Sequence, residues 1–412
     1  MAVSRSRRRF VSSASLAVIL AACSNSVTAD QTTAPATPND VEDATAAGPE
    51  RQIGADSWQT FRLDAERRGV DGEDQELLGT PELLWRFATG GVVESSPAVV
   101  DGTVYVGTFD EQLFALDAST GEQRWSFEVG GLVRASPAVV DGLVFFGADD
   151  NLFYAVDTET GAERWRFELG GGGEQSSPAV VDGAVYFGGF DNFVYALDTA
   201  TGDEMWRFET GAGILSSPLV VDGIVYIGSI DGRFYALDQA SGAELWNVVT
   251  ENSIFSSGAL IPAGSGPLGR AAVAFGSDDG RIYAVDAETG EERWTVQTSR
   301  SVFATPAVAD GEVIVGSRDG SFLSIDAETG EVNWATDLTE VLSSAAVDQD
   351  RIYVGSSDGT LHILDRQGSS LTQLPVGDLV WTSPAVVDGH LFFGAHDGNV
   401  HAYRVAEDPA AN

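Results

Sequence analysis

Lysine is missing from the chain altogether. Its 23 basic residues are all arginine, against 62 Asp and Glu, for a formal net charge of -39. Nucleic-acid affinity depends on clustered Lys and Arg displacing counterions from phosphates, so this charge balance excludes a phosphate-reading face, and nucleic acid is not an expected partner. A single cysteine, Cys23, rules out an intrachain disulfide and any multi-thiolate zinc or iron–sulfur centre. Histidine is scarce, with four residues at 362, 390, 396 and 401. The apolar content is nevertheless that of a folded protein, at 43%. An acid-rich, lysine-free surface suits concentrated salt, where carboxylates hold water and like-charge repulsion is screened. A GC-rich genome that writes Arg codons by default produces the same bias, and both readings stay open.

Residues 1–22 read as an export signal. Arg5, Arg7, Arg8 and Arg9 form a basic leader ahead of Val11–Ala22, which is apolar but too short to span a bilayer. The run Ser6-Arg7-Arg8-Arg9-Phe10-Val11 resembles a twin-arginine signal, and Leu20-Ala21-Ala22-Cys23 resembles a lipobox, whose cysteine is acylated after cleavage. Cys23 is therefore the expected lipidation site, and the chain is expected outside the cytoplasm. A lipid anchor on the outer side of the cytoplasmic membrane or on the cell surface holds it there, or on the outer membrane where one exists. Residues 23–50 are rich in Ser, Thr, Ala, Pro and Asp, with too little apolar surface to offset ordering entropy, and read as a disordered tether. Residues 51–80 form a lead-in, and 406–412 a short tail.

Between them, residues 81–405 are built from a repeat. Tryptophans at 85, 125, 165, 206, 246, 294 and 334 recur about every 40 residues, with one longer step at the Ile261–Arg270 insertion. The unit, typified by Ser96 to Trp125, opens on a short β-branched run, turns at Asp101-Gly102, runs again, turns at Gly107-x-x-Asp110, and turns a third time at Asp117-x-x-Thr120-Gly121. Asp-Gly favours the positive φ of a tight hairpin. Three turns per unit predict four antiparallel strands, and such sheets repeated around an axis predict a propeller. Inner-strand starts at Ser96, Ser136, Ser177, Ser217, Ser257, Thr305, Ser344 and Ser383 give eight blades. The last repeat has no fourth strand, while Leu83-Leu84-Trp85-Arg86-Phe87 is a fourth strand without a blade. The N-terminal strand is therefore expected to close blade eight and remove the open edge. Blade seven is atypical, with Thr372 in the tryptophan slot.

The ending Ala115-Leu116-Asp117 to Trp125, repeated as Ala236-Leu237-Asp238 to Trp246, resembles the tryptophan-docking repeat of the PQQ-dependent quinoprotein dehydrogenases and their relatives. That resemblance implies an all-β, eight-bladed propeller of four-stranded antiparallel blades. Within it, Trp85, Trp125, Trp165, Trp206, Trp246, Trp294 and Trp334 pack between neighbouring blades. Its catalytic members hold PQQ with calcium over the central funnel, often beneath a vicinal disulfide that this chain cannot form. They also carry long inter-blade insertions that it lacks. Lipidation, tether and compact propeller also resemble the BamB-like lipoproteins of outer-membrane β-barrel assembly. Two readings follow. The first is a non-catalytic binding or scaffold propeller for a protein, peptide or small ligand, monomeric and touching the membrane through its lipid alone. The second is a quinoprotein dehydrogenase of alcohols or sugars.

Most aspartates have turn roles, where side chains bond to nearby backbone. Asp149-Asp150-Asn151 and Asp278-Asp279-Gly280 lack the alternating ligands of a calcium loop and read as hairpin tips. His362 and His401 fall in the column of Phe114, Tyr154, Tyr195, Tyr235 and Tyr283, which makes them packing residues, and His390 and His396 belong to opposite ends of one blade. No catalytic constellation and no metal site are assigned. One column escapes the repeat's uniformity: Glu94, Arg134, Gln175, Leu215, Phe255, Phe303, Leu342 and Trp381, each two positions before an inner-strand start. It is expected to ring the funnel mouth, polar in blades one to three and apolar in four to eight, and is the candidate ligand-binding site. Ordinary filling of the channel accounts for the same residues. Substitution at Asp278 or His396 is expected to matter less for binding than substitution in this ring.

Overall fold

The structure is a computed structural model, and it describes residues 77–406 apart from 174, 265–268 and 349. The export signal, Cys23, the tether, most of the lead-in and the tail beyond 406 lie outside the described residues. The described strands form eight four-stranded antiparallel sheets. Blade one runs Ala98–Val100, Thr103–Gly107, Gln112–Asp117 and Gln123–Glu128, from the innermost strand outward. The middle strands are buried on both faces, as their continuous apolar runs require, and the outer strand is half exposed and charged.

Blade eight takes Ala385–Val387, His390–Gly394 and Asn399–Ala406 from the end of the chain and Leu77–Ala88 from its start. Trp85 stands opposite Ala402, as Trp125 stands opposite Ala115 and Trp206 opposite Ala196. The N-terminal strand thus occupies the outer place that every other blade fills from its own repeat.

Two periodic devices lock the blades together. At the centre, the backbone N–H of each inner-strand Ser or Thr donates to the hydroxyl of the next blade's equivalent. Ser96 donates to Ser136 at 3.0 Å, Ser136 to Ser177 at 3.0 Å, and so on through Ser344 to Ser383 at 3.1 Å. Ser383 then donates to Ser96 at 2.8 Å, closing the circle. These groups are buried, so each bond also satisfies a donor that would be costly to leave unpaired. The same eight positions marked the inner-strand starts in the sequence.

At the periphery, each docking indole lies on the next blade's third turn, which ends in Thr-Gly or Ser-Gly or, under Trp334, in Gln367-Gly368. Trp85 Nε1 donates to Ala118 O at 2.9 Å, Trp125 to Thr158 O at 2.8 Å, Trp165 to Thr199 O at 2.9 Å, Trp206 to Gln239 O at 3.0 Å, Trp294 to Ala327 O at 3.0 Å and Trp334 to Arg366 O at 2.9 Å. Trp246 departs from the series: Tyr226 donates its hydroxyl to Ala287 O at 2.9 Å, and the buried indole N–H has no hydrogen-bond partner.

The Asp-Gly hairpins adopt the predicted positive φ at both residues, as at Asp101 (48°) and Gly102 (67°). Blade seven replaces that turn: Asp348 caps the N–H groups of Asp350 and Arg351 at 3.0 and 2.7 Å and accepts the Tyr353 hydroxyl at 2.9 Å.

Candidate functional site

Two segments of each blade meet at one end of the propeller: the loop entering the innermost strand and the turn between its second and third strands. The turn N–H donates to the loop carbonyl in every blade. Examples are Phe109 to Val92 and Asp149 to Leu132, both at 2.9 Å, Asp278 to Ser253 at 2.9 Å, and His396 to Leu379 at 3.0 Å. The Asp-Gly and Thr-Gly turns adjoin at the other end, where Ala118 N–H meets Gly102 O at 2.9 Å.

Glu94, Arg134, Gln175, Leu215, Phe255, Phe303, Leu342 and Trp381 all lie on the entering loops at the first end, and all are half-buried. In the seven blades where both neighbours are described, the flanking residues are buried, as Val93 and Ser95 are around Glu94. The alternation places one partly exposed residue per blade between two buried ones. Its buried predecessor is the wedge between blades: Val133, Ile214, Ile254, Val302, Val341, Val380 and Val93 each fill the space over the preceding blade's strand-end glycine.

A continuous polar chain crosses blades eight to three. Arg134 sits between two carboxylates, its Nη1 3.1 Å from Glu94 Oε2 and its Nε 3.1 Å from Asp149 Oδ2, with the guanidinium 4.3 Å from the centre of the Phe109 ring. Glu94 Oε1 is 3.3 Å from His396 Nε2, and the His396 ring meets Trp381 edge to face at 4.5 Å. Trp381 Nε1 donates to Ser357 Oγ at 3.3 Å. Burial pushes the Asp149 carboxyl above the usual carboxylate range, against the opposing pull of Arg134 and of a hydrogen bond from Gln175.

The other half of the mouth is not purely apolar. Phe255 and Phe303 pack edge to face at 4.8 Å, and Arg318 covers Phe303 at 5.0 Å while pairing with Glu340. Ser301 donates to Asp278 Oδ1 at 2.5 Å. The polar sector therefore extends back into blade eight, and the apolar sector carries an ion pair of its own. This differs from the split read from the ring residues alone.

The difference comes from a second variable column, the residue before each turn aspartate: Phe109, Asp149, Phe190, Ile230, Asp278, Arg318, Ser357 and His396, all half-buried. His396 and Asp278, read in the sequence as turn residues apart from the ring, belong to this column and stand at the mouth. The signal was present, since this position changes chemistry from blade to blade while the following aspartate does not.

The turn aspartates themselves hold the mouth's loops. Asp150 Oδ2 accepts the Gly130 N–H at 2.8 Å and the Tyr154 hydroxyl at 2.6 Å, and Asp191 and Asp231 repeat both bonds. Burial and the adjoining Asp279 carboxylate raise the Tyr283 phenol to about 12. His362 and His401 keep this arrangement with an imidazole in place of the phenol. His401, fully buried, lies flat on Phe393 with Nε2 3.0 Å from Asp397 Oδ2, and His362 Nε2 is 3.4 Å from Asp358. The four histidines are not brought together, and among the described residues no group of three metal-ligating side chains converges.

These features define an eight-bladed propeller of tryptophan-docked PQQ-type repeats, closed by its N-terminal strand. The chain belongs to the family described as outer membrane protein assembly factor BamB, which matches residues 77–189, 154–266 and 255–409. Among solved structures, BamB from Moraxella catarrhalis is 21% identical over 79% of this chain and 98% of its own, with a TM-score of 0.67. The quinohemoprotein alcohol dehydrogenase of Comamonas testosteroni is 16% identical over 86% and 81%, with a TM-score of 0.74. A europium-containing methanol dehydrogenase is 14% identical over 85% and 98%, also at 0.74. At these identities the likeness is one of fold. No curated protein matches the chain.

Proposed function

We propose that this chain is a lipid-anchored, extracytoplasmic propeller that binds a partner at the funnel mouth without transforming it. The observation that carries the reading is the pairing of two variable columns at one end of an otherwise uniform ring, with every one of their residues partly exposed. Packing and turn chemistry account for the repeated positions, whereas these two columns vary from blade to blade, as a surface matched to a ligand does. The family's description as an assembly factor supports a protein or peptide as that ligand.

The dehydrogenase reading draws on the fold likeness to two quinoprotein enzymes. Its cofactor set does not fit the residues present. A polycarboxylate quinone needs free cationic donors, whereas Arg134 is shared by Glu94 and Asp149, and Arg318 is paired with Glu340.

The test is crosslinking of the full-length protein in its own cells, comparing wild type with Trp381→Ala and Arg134→Ala after circular dichroism has established that both fold. Loss of the principal crosslinked partner from both variants is the expected result. Retention of that partner by two folded variants sinks the mouth as the binding site. Dye reduction by the purified protein on addition of PQQ and calcium, with an alcohol or sugar present, overturns the non-catalytic part.

A further inference from the structure

Leu371 and Leu83, on the outer strands of blades seven and eight, are 47% and 43% exposed. A single exposed leucine needs no explanation, but these two turn into one cleft. The side of a blade that carries its tryptophan looks toward the next blade: Phe127 of blade one packs on Phe146 and Tyr154 of blade two. Leu371 lies on that side of blade seven. It fills the irregular step before the tryptophan slot, and its blade-one equivalent, Arg124, reaches Thr103 and Asp117 on the side where Tyr105 meets Trp125. Leu83 stands opposite Tyr403, whose ring lies against Phe393, the counterpart of Phe146. That side of blade eight shares an apolar cluster with Ile363 and Leu374 of blade seven. An indole fills the corresponding cleft between every other pair of blades. Here Thr372 leaves it short, and blade eight has no third turn to lie beneath one.

Both leucines lie toward the end of their strands remote from the mouth. The chain reaches Leu83 from that end, through Leu77, which stands opposite Ala406. Residues 51–76 therefore join the ring beside the cleft, and their sequence has what a cover needs. Trp58, Phe61 and Leu63 supply apolar surface; of the nine tryptophans seven dock between blades and Trp381 stands at the mouth, which leaves Trp58. Asp71-Gly72, just ahead of Leu77, repeats the dipeptide that turns six described hairpins with both residues at positive φ. A reversal there sends the chain back toward Leu83, and at roughly 3.3 Å per extended residue the stretch from Trp58 to Gly72 is long enough to reach both leucines.

We infer that the lead-in reverses at Asp71-Gly72 and lies along the seam between blades seven and eight, with Trp58 and Phe61 against Leu83 and Leu371. It does not supply an eighth docked indole, since the turn beneath such an indole is absent; it covers the cleft that the missing pair leaves open. A segment already attached at the cleft meets it at high effective concentration, an advantage over a second copy carrying the same net charge of -39. Docked there, the lead-in shields Leu77–Ala88, the strand that closes the ring. The seam lies away from the mouth, so this cover is independent of what the mouth binds.

Trypsin reads the lead-in cleanly, because residues 24–50 contain no Lys or Arg and the next sites are Arg51, Arg62, Arg67 and Arg68. The test digests purified full-length wild type and the Leu83→Ser/Leu371→Ser variant, both checked for a native circular dichroism spectrum. In wild type Arg51 is expected to be cut at once, and Arg62, Arg67 and Arg68 at least ~tenfold more slowly; the variant is expected to lose that difference. The emission of Trp58, taken as the difference between wild type and Trp58→Phe, is expected to be that of a buried indole and to move to the red in the leucine variant. Cleavage of all four sites at one rate in wild type, or an exposed-type Trp58 emission there, overturns the inference. Equal protection in wild type and a folded leucine variant overturns the seam as the place where the lead-in docks. Protection that appears only as protein concentration rises gives the leucines to a second copy and overturns the intramolecular cover.

Discussion

Gly121 lies against the indole of Trp85, so closely that a Cβ on the glycine would stand 2.6 Å from Cδ2 of the ring. The glycine belongs to the third turn of blade one and the tryptophan to the strand that completes blade eight. The contact therefore joins the seam where the ring is closed. The same approach recurs at Gly161 on Trp125, Gly202 on Trp165 and Gly242 on Trp206. It explains why the turn ends in glycine: the backbone must both adopt a positive φ and leave the ring face clear.

Two glycines of similar φ separate those requirements. Gly121 has φ 72° with the indole beside it, and Gly183 has φ 76° with nothing within 4 Å. Alanine at Gly183 meets only the left-handed backbone penalty, roughly 1–2 kcal/mol. Gly121→Ala adds a collision with a packed ring and is expected to lose a further ~1–3 kcal/mol. Denaturant unfolding of the two variants under identical salt checks this, and equal losses defeat the explanation.

Such contacts were largely legible in the sequence because each is carried by a local pattern that returns six or seven times around the ring. Asp101-Gly102 announces a hairpin by its own backbone chemistry, and the spacing from Trp85 to Trp125 announces a repeat. The last repeat's missing fourth strand and the orphan strand around Trp85 together pointed to the seam. Contacts between blades at the centre were less visible. Ser96 and Ser136 looked like strand starts, and only the structure shows one donating to the other. The second mouth column was hidden by its neighbour: the constant aspartate that follows Asp149 or Asp278 drew those residues into a turn reading. Their side chains in fact face Arg134 and Ser301 on adjoining loops, contacts that no local pattern records.

Arg134 is expected to be the most sensitive position of the mouth for stability. It bridges Glu94 and Asp149 from a side chain that is 13% exposed, so Arg134→Ala strands two partly buried carboxylates at once. Removing one member of such a network costs more than replacing the whole set. A loss of roughly 2–4 kcal/mol is expected for Arg134→Ala, with much of it recovered in the triple variant that adds Glu94→Gln and Asp149→Asn. Non-recovery in the triple variant means the loss came from the aliphatic stem and its contact with Phe109.

His362 gives the fold a weak acid sensitivity. Its pKa is lowered from 6.5, chiefly by burial, against the opposing pull of Asp358. The folded chain therefore resists a proton that the unfolded chain accepts. Stability from this group is fully present above the unfolded value and is lost as pH falls below it, until the folded value is reached, with a slope of at most ~1.4 kcal/mol per pH unit. Phe114 occupies the equivalent place in blade one, so His362→Phe is expected to fold and to show a shallower decline between pH 7 and about pH 5. Identical slopes for wild type and variant, measured by chemical unfolding, would rule His362 out as the source.

Thr372 offers the sharpest separation between repeat averaging and structural reasoning. Comparison with the seven other blades recommends tryptophan there, and consensus replacements of this kind commonly stabilise. The docking surface argues otherwise. Each indole lies on a following blade whose third and fourth strands are joined by a short turn ending in glycine. In blade eight those strands, Asn399–Ala406 and Leu77–Ala88, are not consecutive in the chain and share no such turn. Across the strand, Thr372 also faces Ile363, where the docking tryptophans face Ala or, at Ser324, another small residue. Thr372→Trp is therefore expected to be neutral or destabilising by ~1–3 kcal/mol, with its indole fluorescing as a solvent-exposed group. A stabilised variant with a blue-shifted, buried indole would show that blade eight supplies a dock without the turn, and that the glycine contact at Trp85 is not what holds the other blades together.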